Sequence, residues 1–371
     1  MIVTRRGQVV LNSAYGHADR ENDMPVAADT IWRIYSMTKP VTSVALMMQL
    51  EQGKVLLEQP VSDFIPEFAD TKVWAGGDED DFTVVEPDRE PTVHNMLTHL
   101  SGITAGFVRA HPLDALYRKV GLGDFSRPEG NLEQGIARLA AQPLLFQPGT
   151  RWNYGMSTDV VGRIVEVASG QPLDRYFADH IFEPLGMVDT GFGLPPDNAN
   201  RFSAMYTKGP DGRAALLESS QRSNYLKPAK FFSGAGGLVS TAGDYHRFVE
   251  CLARGGELSG VRLLGPRTVD YMARNHLPGG VTLNEMGQAL FSETSMEGVG
   301  FGLGFGVVVD PAAVTNLCTK GEYHWGGAAS TTFWIDPVED LHVQFYTQLL
   351  PSDTYPIRRH LRATVYQALI D

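Results

Sequence analysis

Ser36-Met37-Thr38-Lys39 places a hydroxyl and an amine three residues apart at the head of a helix-like stretch. On a helix that spacing puts both side chains on one face. A serine hydroxyl is a weak nucleophile until a neighbour takes its proton, and lysine can replace histidine in that role. The free N–H groups and positive dipole end of a helix N-terminus also suit an anionic intermediate. The same four residues read equally as an N-capping serine followed by a solvated lysine. Tyr154 sits in a tight loop, Pro148-Gly149-Thr150-Arg151-Trp152-Asn153-Tyr154, just before a second helical stretch. There it could carry a proton between the serine and a leaving group if a lysine stabilised its anion. It could also be a packed aromatic whose hydroxyl caps a neighbour. The third candidate is Tyr323-His324-Trp325-Gly326-Gly327-Ala328-Ala329-Ser330. Its two glycines let the backbone approach a ligand and leave an N–H aimed at it, or make a simple turn into an edge strand.

Other chemistries find little support. Cys251 and Cys318 form neither a disulfide framework nor a CxxC pair, and read as reduced thiols. The ten histidines contain no HExxH or HxH, and His94 and His99 lack a third ligand nearby, so no metal site is expected. The Gly-x-Ser-x-Gly nucleophile elbow is absent.

The elements that must position these residues follow from punctuation and periodicity. Ile2–Thr4 and Gln8–Leu11 read as a hairpin turning at Arg6-Gly7. Residues 37–52 read as a helix stopped by Gly53. From about 60 to 205, Pro and Gly are frequent, helical stretches such as 157–169 and 173–182 recur, and strand-like runs are scarce. Strand signals return at 304–309, 330–335 and 341–346, with a turn over 336–340 and a closing helix over 356–370. Strands at both ends with helices between predict an α+β fold. One sheet domain would be built from residues 1–60 and 206–371, with a mainly helical domain over 61–205 and the active site between them.

Together these motifs resemble the serine β-lactamase and penicillin-binding-protein superfamily on its class C side, and within it the family VIII carboxylesterases. Besides Ser36-x-x-Lys39, the similar segments are Leu97-Thr98-His99-Leu100-Ser101-Gly102, Gln147-Pro148-Gly149 before Tyr154, Pro184-Leu185-Gly186-Met187, and Gly234-Ala235-Gly236-Gly237-Leu238-Val239-Ser240-Thr241-Ala242. The resemblance implies a β-lactamase/DD-peptidase-like fold, an antiparallel sheet flanked by helices. It makes Ser36 the nucleophile, Lys39 its activating partner and Tyr154 the proton shuttle, with the N–H groups of Ser36 and Ala328 as oxyanion hole. Which of Lys39 and Tyr154 takes the first proton stays open. Two departures bear on substrate. Tyr154-Gly155-Met156 stands where class C enzymes carry Tyr-x-Asn, and Trp325-Gly326-Gly327 where they carry Lys-Thr-Gly. A cation for a substrate carboxylate has become an indole, which favours uncharged esters. Trp325, Gly326, Gly327, Met156, Tyr35 and Tyr323 are therefore the expected substrate-binding residues, with Phe107, Phe231 and Phe232 as further candidates for the pocket. His324 and His99 are expected to be structural, His99 holding a turn by hydrogen bonding.

The 371 residues carry a net charge of −12 with 43% hydrophobic and 20% charged residues, a globular composition. No basic cluster suits nucleic acid, and no apolar run reaches the roughly 18 residues of a membrane span. The expected partner is a small-molecule ester, without metal or organic cofactor, for a monomer or homodimer. Met1–Gly7 is too short and polar for a signal peptide, so a cytoplasmic location is expected. Relatives carry a helix before the first strand, and an upstream extension could hold an export signal. The expected activity is a serine carboxylesterase acting on short-chain esters. A β-lactamase, a D-aminopeptidase or DD-peptidase-like hydrolase, or an acyltransferase are the alternatives.

Overall fold

The computed structural model describes residues 1–122, 128–287 and 296–370. Its frame is one seven-stranded, wholly antiparallel sheet drawn from the two ends of the chain. β1 (Ile2–Arg5) and β2 (Gln8–Asn12) form the hairpin that the sequence predicts. Arg6 and Gly7 turn it with φ of 49° and 69°, the paired left-handed geometry of a two-residue hairpin turn. The late strands are β3 (Val299–Phe301), β4 (Gly306–Val308), β5 (Tyr323–Gly326), β6 (Thr332–Asp336) and β7 (Leu341–Phe345). They pair in sequence order, and β7 then joins β1, leaving β3 and β2 as the two edges.

β5 corrects the sequence reading. Tyr323–Gly326 is not a loop leading to an edge strand; it lies inside the sheet between β4 and β6, with Trp325 opposite Phe333. A four-residue strand ending in glycine carries too little alternation to be recognised.

Alternation along β5 and β6 assigns the two faces. Tyr323, Trp325, Phe333 and Ile335 enter the principal apolar core. There α3 (Ala242–Ala253) packs on β7, and α1 (Thr38–Glu51) and α2 (Ser157–Ser169) belong to the same core. Trp334 points the other way, into a smaller core with Val3, Leu341, Val343 and Val365, covered by α4 (Ile357–Tyr366). On that back face Glu322 is fully buried and pairs with Arg362, while the Tyr366 hydroxyl donates to it at 2.8 Å. Burial alone would raise the Glu322 carboxyl, but Arg362 and His324 beside it hold it down to about 2.

Between the end pieces, the described residues of 93–201 are helices joined by turns and loops, with α2 packed on α1. The predicted 173–182 stretch is a helical run from Leu173 to Leu185 in three segments. The principal core is continuous from Val93 and Val161 to Phe301 and Phe333. Among the described residues no helix is long and apolar enough to cross a membrane.

Candidate active site

A short turn, Tyr35–Met37, leads into α1 and carries Ser36. It is tied down on both sides: Ile34 N–H donates to Leu238 O at 3.2 Å, and the Tyr245 hydroxyl donates to Met37 O at 2.9 Å. Tyr35 adopts φ of 44°, a conformation that costs a non-glycine residue about 1–3 kcal/mol. Its surroundings enforce this: the ring is buried with Ala329 and Met205, and its hydroxyl donates to Met205 Sδ at 3.1 Å.

Lys39, one turn along, is 3% exposed. Its Nζ donates to Ser36 Oγ at 3.2 Å and to Ala235 O at 2.8 Å. Tyr154 arrives from the opposite side, its hydroxyl 2.7 Å from Ser36 Oγ. The Lys39 ammonium stands 4.5 Å from the Tyr154 ring centroid, so both groups converge on one oxygen.

The Leu97–Gly102 segment is what holds Tyr154. Asn153 N–H donates to His99 O at 3.0 Å, and Met156 N–H to Thr104 O at 3.1 Å. Between them Gly155 lies so close that an added Cβ would sit 2.5 Å from Thr104 O, which excludes any side chain there. His99 therefore holds this loop through its backbone carbonyl. Its ring packs 5.0 Å from Tyr154 and 5.5 Å from Phe301, and burial pushes the imidazole well below its ordinary pKa, keeping it neutral.

Trp325, 8% exposed, lies 5.7 Å from the Tyr154 ring and edge-on to Phe301 at 5.3 Å. After it the chain closes on the backbone preceding the serine. A Cβ on Gly327 would lie 2.5 Å from Ile34 O. Arg358 of α4 fixes this turn by donating to Gly327 O at 2.7 Å and Thr331 O at 2.9 Å. The N–H groups of Ser36 and Ala328 donate to no protein acceptor among the described residues.

Three further expected substrate-binding residues are, like Trp325, buried. Tyr323 is on the same strand face as Trp325 but two residues deeper, 3% exposed and packed edge-on to Phe305. Met156 is 6% exposed within the principal core, and Tyr35 supports the 328–329 turn from below. Phe231 packs over Gly135 of a neighbouring helix. Aromatic and thioether side chains fill cores more often than pockets, and only the fold tells them apart. No three His, Cys, Asp or Glu side chains gather as a metal site would need, among the described residues.

Sequence reasoning passed over Asp159, on the first turn of α2. It is 2% exposed, and its Oδ1 accepts from the Ser233 hydroxyl at 2.6 Å and from Ala235 N–H at 3.1 Å. Burial raises its pKa, while those two hydrogen bonds and the nearby Lys39 oppose the rise. The signal available was a carboxylate flanked by buried aliphatic residues, which a first-turn acidic residue disguises.

Comparison with known proteins finds the Beta-lactamase family matched over residues 1–367. Esterase EstB of Burkholderia gladioli is 30% identical over 386 residues, covering 98% of this chain and 89% of that protein. The structure of EstCE1, described as a hydrolase with promiscuous acyltransferase activity, superposes with a TM-score of 0.80 at 27% identity, over 98% of this chain and 92% of that one. Unliganded simvastatin synthase from Aspergillus terreus gives 0.81 at 26% identity, over 100% and 94%.

Proposed function

The chain belongs to the Beta-lactamase family, and on that premise we propose that it is a serine carboxylesterase cleaving small, uncharged, short-chain esters through an acyl-enzyme on Ser36. The observation that carries this reading is the convergence of Tyr154 and Lys39 on Ser36 Oγ, at 2.7 and 3.2 Å.

Ser36 Oγ attacks the ester carbonyl carbon and passes its proton to the Tyr154–Lys39 pair, which takes it in the state where one of the two, the phenol oxygen or the amine, is unprotonated. The carbonyl oxygen, now an anion, takes the N–H groups of Ser36 and Ala328, each typically worth about 10²–10³ in rate. The proton goes on to the departing alkoxide, and the alcohol leaves an acyl-Ser36 ester. Water then attacks the acyl carbon, giving its proton to the same pair; the bond from the acyl carbon to Ser36 Oγ breaks, the pair returns the proton to Oγ, and the carboxylic acid leaves. Lys39 Nζ, 4.5 Å from the Tyr154 ring centroid, and the Tyr154 hydroxyl meet at the one serine oxygen, so the proton has a short path between them. Trp325, Gly326 and Gly327 line the substrate side without a cation, which disfavours carboxylate-bearing β-lactams and D-alanyl peptides. Residues 1–60 with 206–371 would form the sheet domain and 61–205 the helical one, with the substrate entering between them.

Acyl transfer to an alcohol is the second reading, favoured by the similarity to EstCE1 and simvastatin synthase. An alcohol replaces water in the second half of the same cycle.

The test sets wild type and Ser36→Ala side by side on p-nitrophenyl butyrate, p-nitrophenyl palmitate and nitrocefin. Fast butyrate turnover, slow palmitate and nitrocefin turnover, and loss of all three in the variant are expected. Dominant nitrocefin cleavage would replace the esterase reading with a β-lactamase. Activity surviving in Ser36→Ala would place the chemistry elsewhere. Added alcohols that suppress hydrolysis and yield new esters would favour the acyltransferase.

A further inference from the structure

The Gly234-Ala235-Gly236-Gly237 segment contributes no side chain to the reaction, yet it runs between the helices that carry Lys39 and Tyr154. α1 grips it twice: Thr42 Oγ1 donates to Gly234 O at 2.7 Å, and Lys39 Nζ to Ala235 O at 2.8 Å. α2 grips it through Asp159, which accepts from Ser233 Oγ and Ala235 N–H. Ala235 is thus held from opposite sides, its N–H by a carboxylate and its carbonyl by the ammonium. A bare glycine-rich turn would not hold that carbonyl still, since glycine restrains its backbone least.

We propose that Asp159 is a positioning residue for Lys39: it fixes the Ala235 carbonyl, which in turn anchors the ammonium beside Ser36 Oγ. This rests on the reading of Ser36, Lys39 and Tyr154 given above. Asp159 touches neither the serine nor the expected substrate side, so its hydrogen bonds reach the site through Ser233 and Ala235, and its charge acts on the nearby Lys39. A lysine with a fixed acceptor has one direction left in which to point, toward the serine. Without the anchor the ammonium has more rotamers, and misplacing a catalytic group by about 1 Å can cost 10² in rate.

The test compares Asp159→Ala, Asp159→Asn and Ser36→Ala with wild type on p-nitrophenyl butyrate, alongside their melting temperatures. Asp159→Ala is expected to lower kcat about 100-fold with KM within about 3-fold, because substrate binding is untouched. Asp159→Asn keeps an oxygen that accepts both hydrogen bonds, and its kcat should return to within about 3-fold of wild type. If Asp159→Ala fails to fold, Asp159→Leu fills the same volume without accepting a hydrogen bond and must show the same loss. Wild-type kcat in the apolar variant, a defect confined to KM, or an Asn variant as slow as Ala overturns the inference. An inactive Ser36→Ala beside a fully active Asp159→Ala sinks only this role for Asp159. An active Ser36→Ala sinks the underlying reading of the site.

Discussion

The two sides of Ser36 are built by different means. On the proposed proton-transfer side, Lys39, Asp159 and Tyr154 ride on or just before helices, and polar side-chain bonds link them to the serine and to the 233–235 loop. On the proposed oxyanion side, Ala328 sits on a turn after β5, and what holds it is backbone crowding at Gly327 together with an arginine on two carbonyls. The first side is specified mainly by which residues are present, with a close backbone approach at Gly155 behind Tyr154. The second is specified by which side chains are absent and by contacts reaching across the chain. Side-chain chemistry can be tuned by conservative substitution, whereas a close backbone approach tolerates almost none.

The sharpest way to expose that asymmetry is Gly327→Ala. One methyl would meet Ile34 O at 2.5 Å and Thr331 Oγ1 at 2.3 Å, and the backbone oxygen cannot rotate away. The turn must shift, carrying Ala328 N–H off the substrate oxygen, and kcat on p-nitrophenyl butyrate should fall about 10²-fold. Steady-state kinetics at unchanged melting temperature would read it. A variant with wild-type kcat would mean that the turn plays no part in stabilising the oxyanion.

A smaller effect is expected one step behind the turn. Arg358→Ala leaves Gly327 O and Thr331 O without their guanidinium but does not push the turn anywhere. A loosened donor loses only part of its value, so kcat should drop about 10-fold. Arg358→Lys, a point charge without the fork, should fall between. Equal losses in Arg358→Ala and Gly327→Ala would erase the distinction between crowding and tethering.

The same asymmetry explains what could be read from the sequence. Ser36 and Lys39 were legible because three residues on a helix are neighbours whatever the rest of the fold does. Tyr154 stands out in the sequence only through the resemblance of its loop to the β-lactamase superfamily, since a packed aromatic reads equally well there. Tyr323 was not: it shares the strand face of Trp325, and only the packing of Phe305 shows that it lies in the core. β5 escaped notice because Gly326 and Gly327, which make the close approach possible, also remove the alternation that marks a strand. Asp159 needed the 233–235 loop, some 75 residues away, before its burial made sense. The antiparallel hairpin and the late strands β6 and β7 were local enough to be recognised from alternation alone.

His99 offers the mildest test, on stability more than rate. Its ring is buried among Tyr154, Trp152 and Phe301, and burial holds its pKa well below the ordinary 6.5. The unfolded chain takes up a proton there below about pH 6.5, while the folded protein does not. Stability from this residue is therefore fully present above pH 6.5 and is lost as pH falls toward the folded-state pKa. His94, lowered to about 4 by burial beside His276, acts in the same direction. In His99→Phe the aromatic contacts to Tyr154 stay but the titration goes. The melting temperature of wild type should drop about 2 °C more than that of the variant between pH 7.5 and 5.5. Parallel melting curves would mean that His99 is protonated in the folded state. A cation would then stand 5.0 Å from the Tyr154 ring, and the aromatic seam would belong with the charged side of the site rather than opposite it.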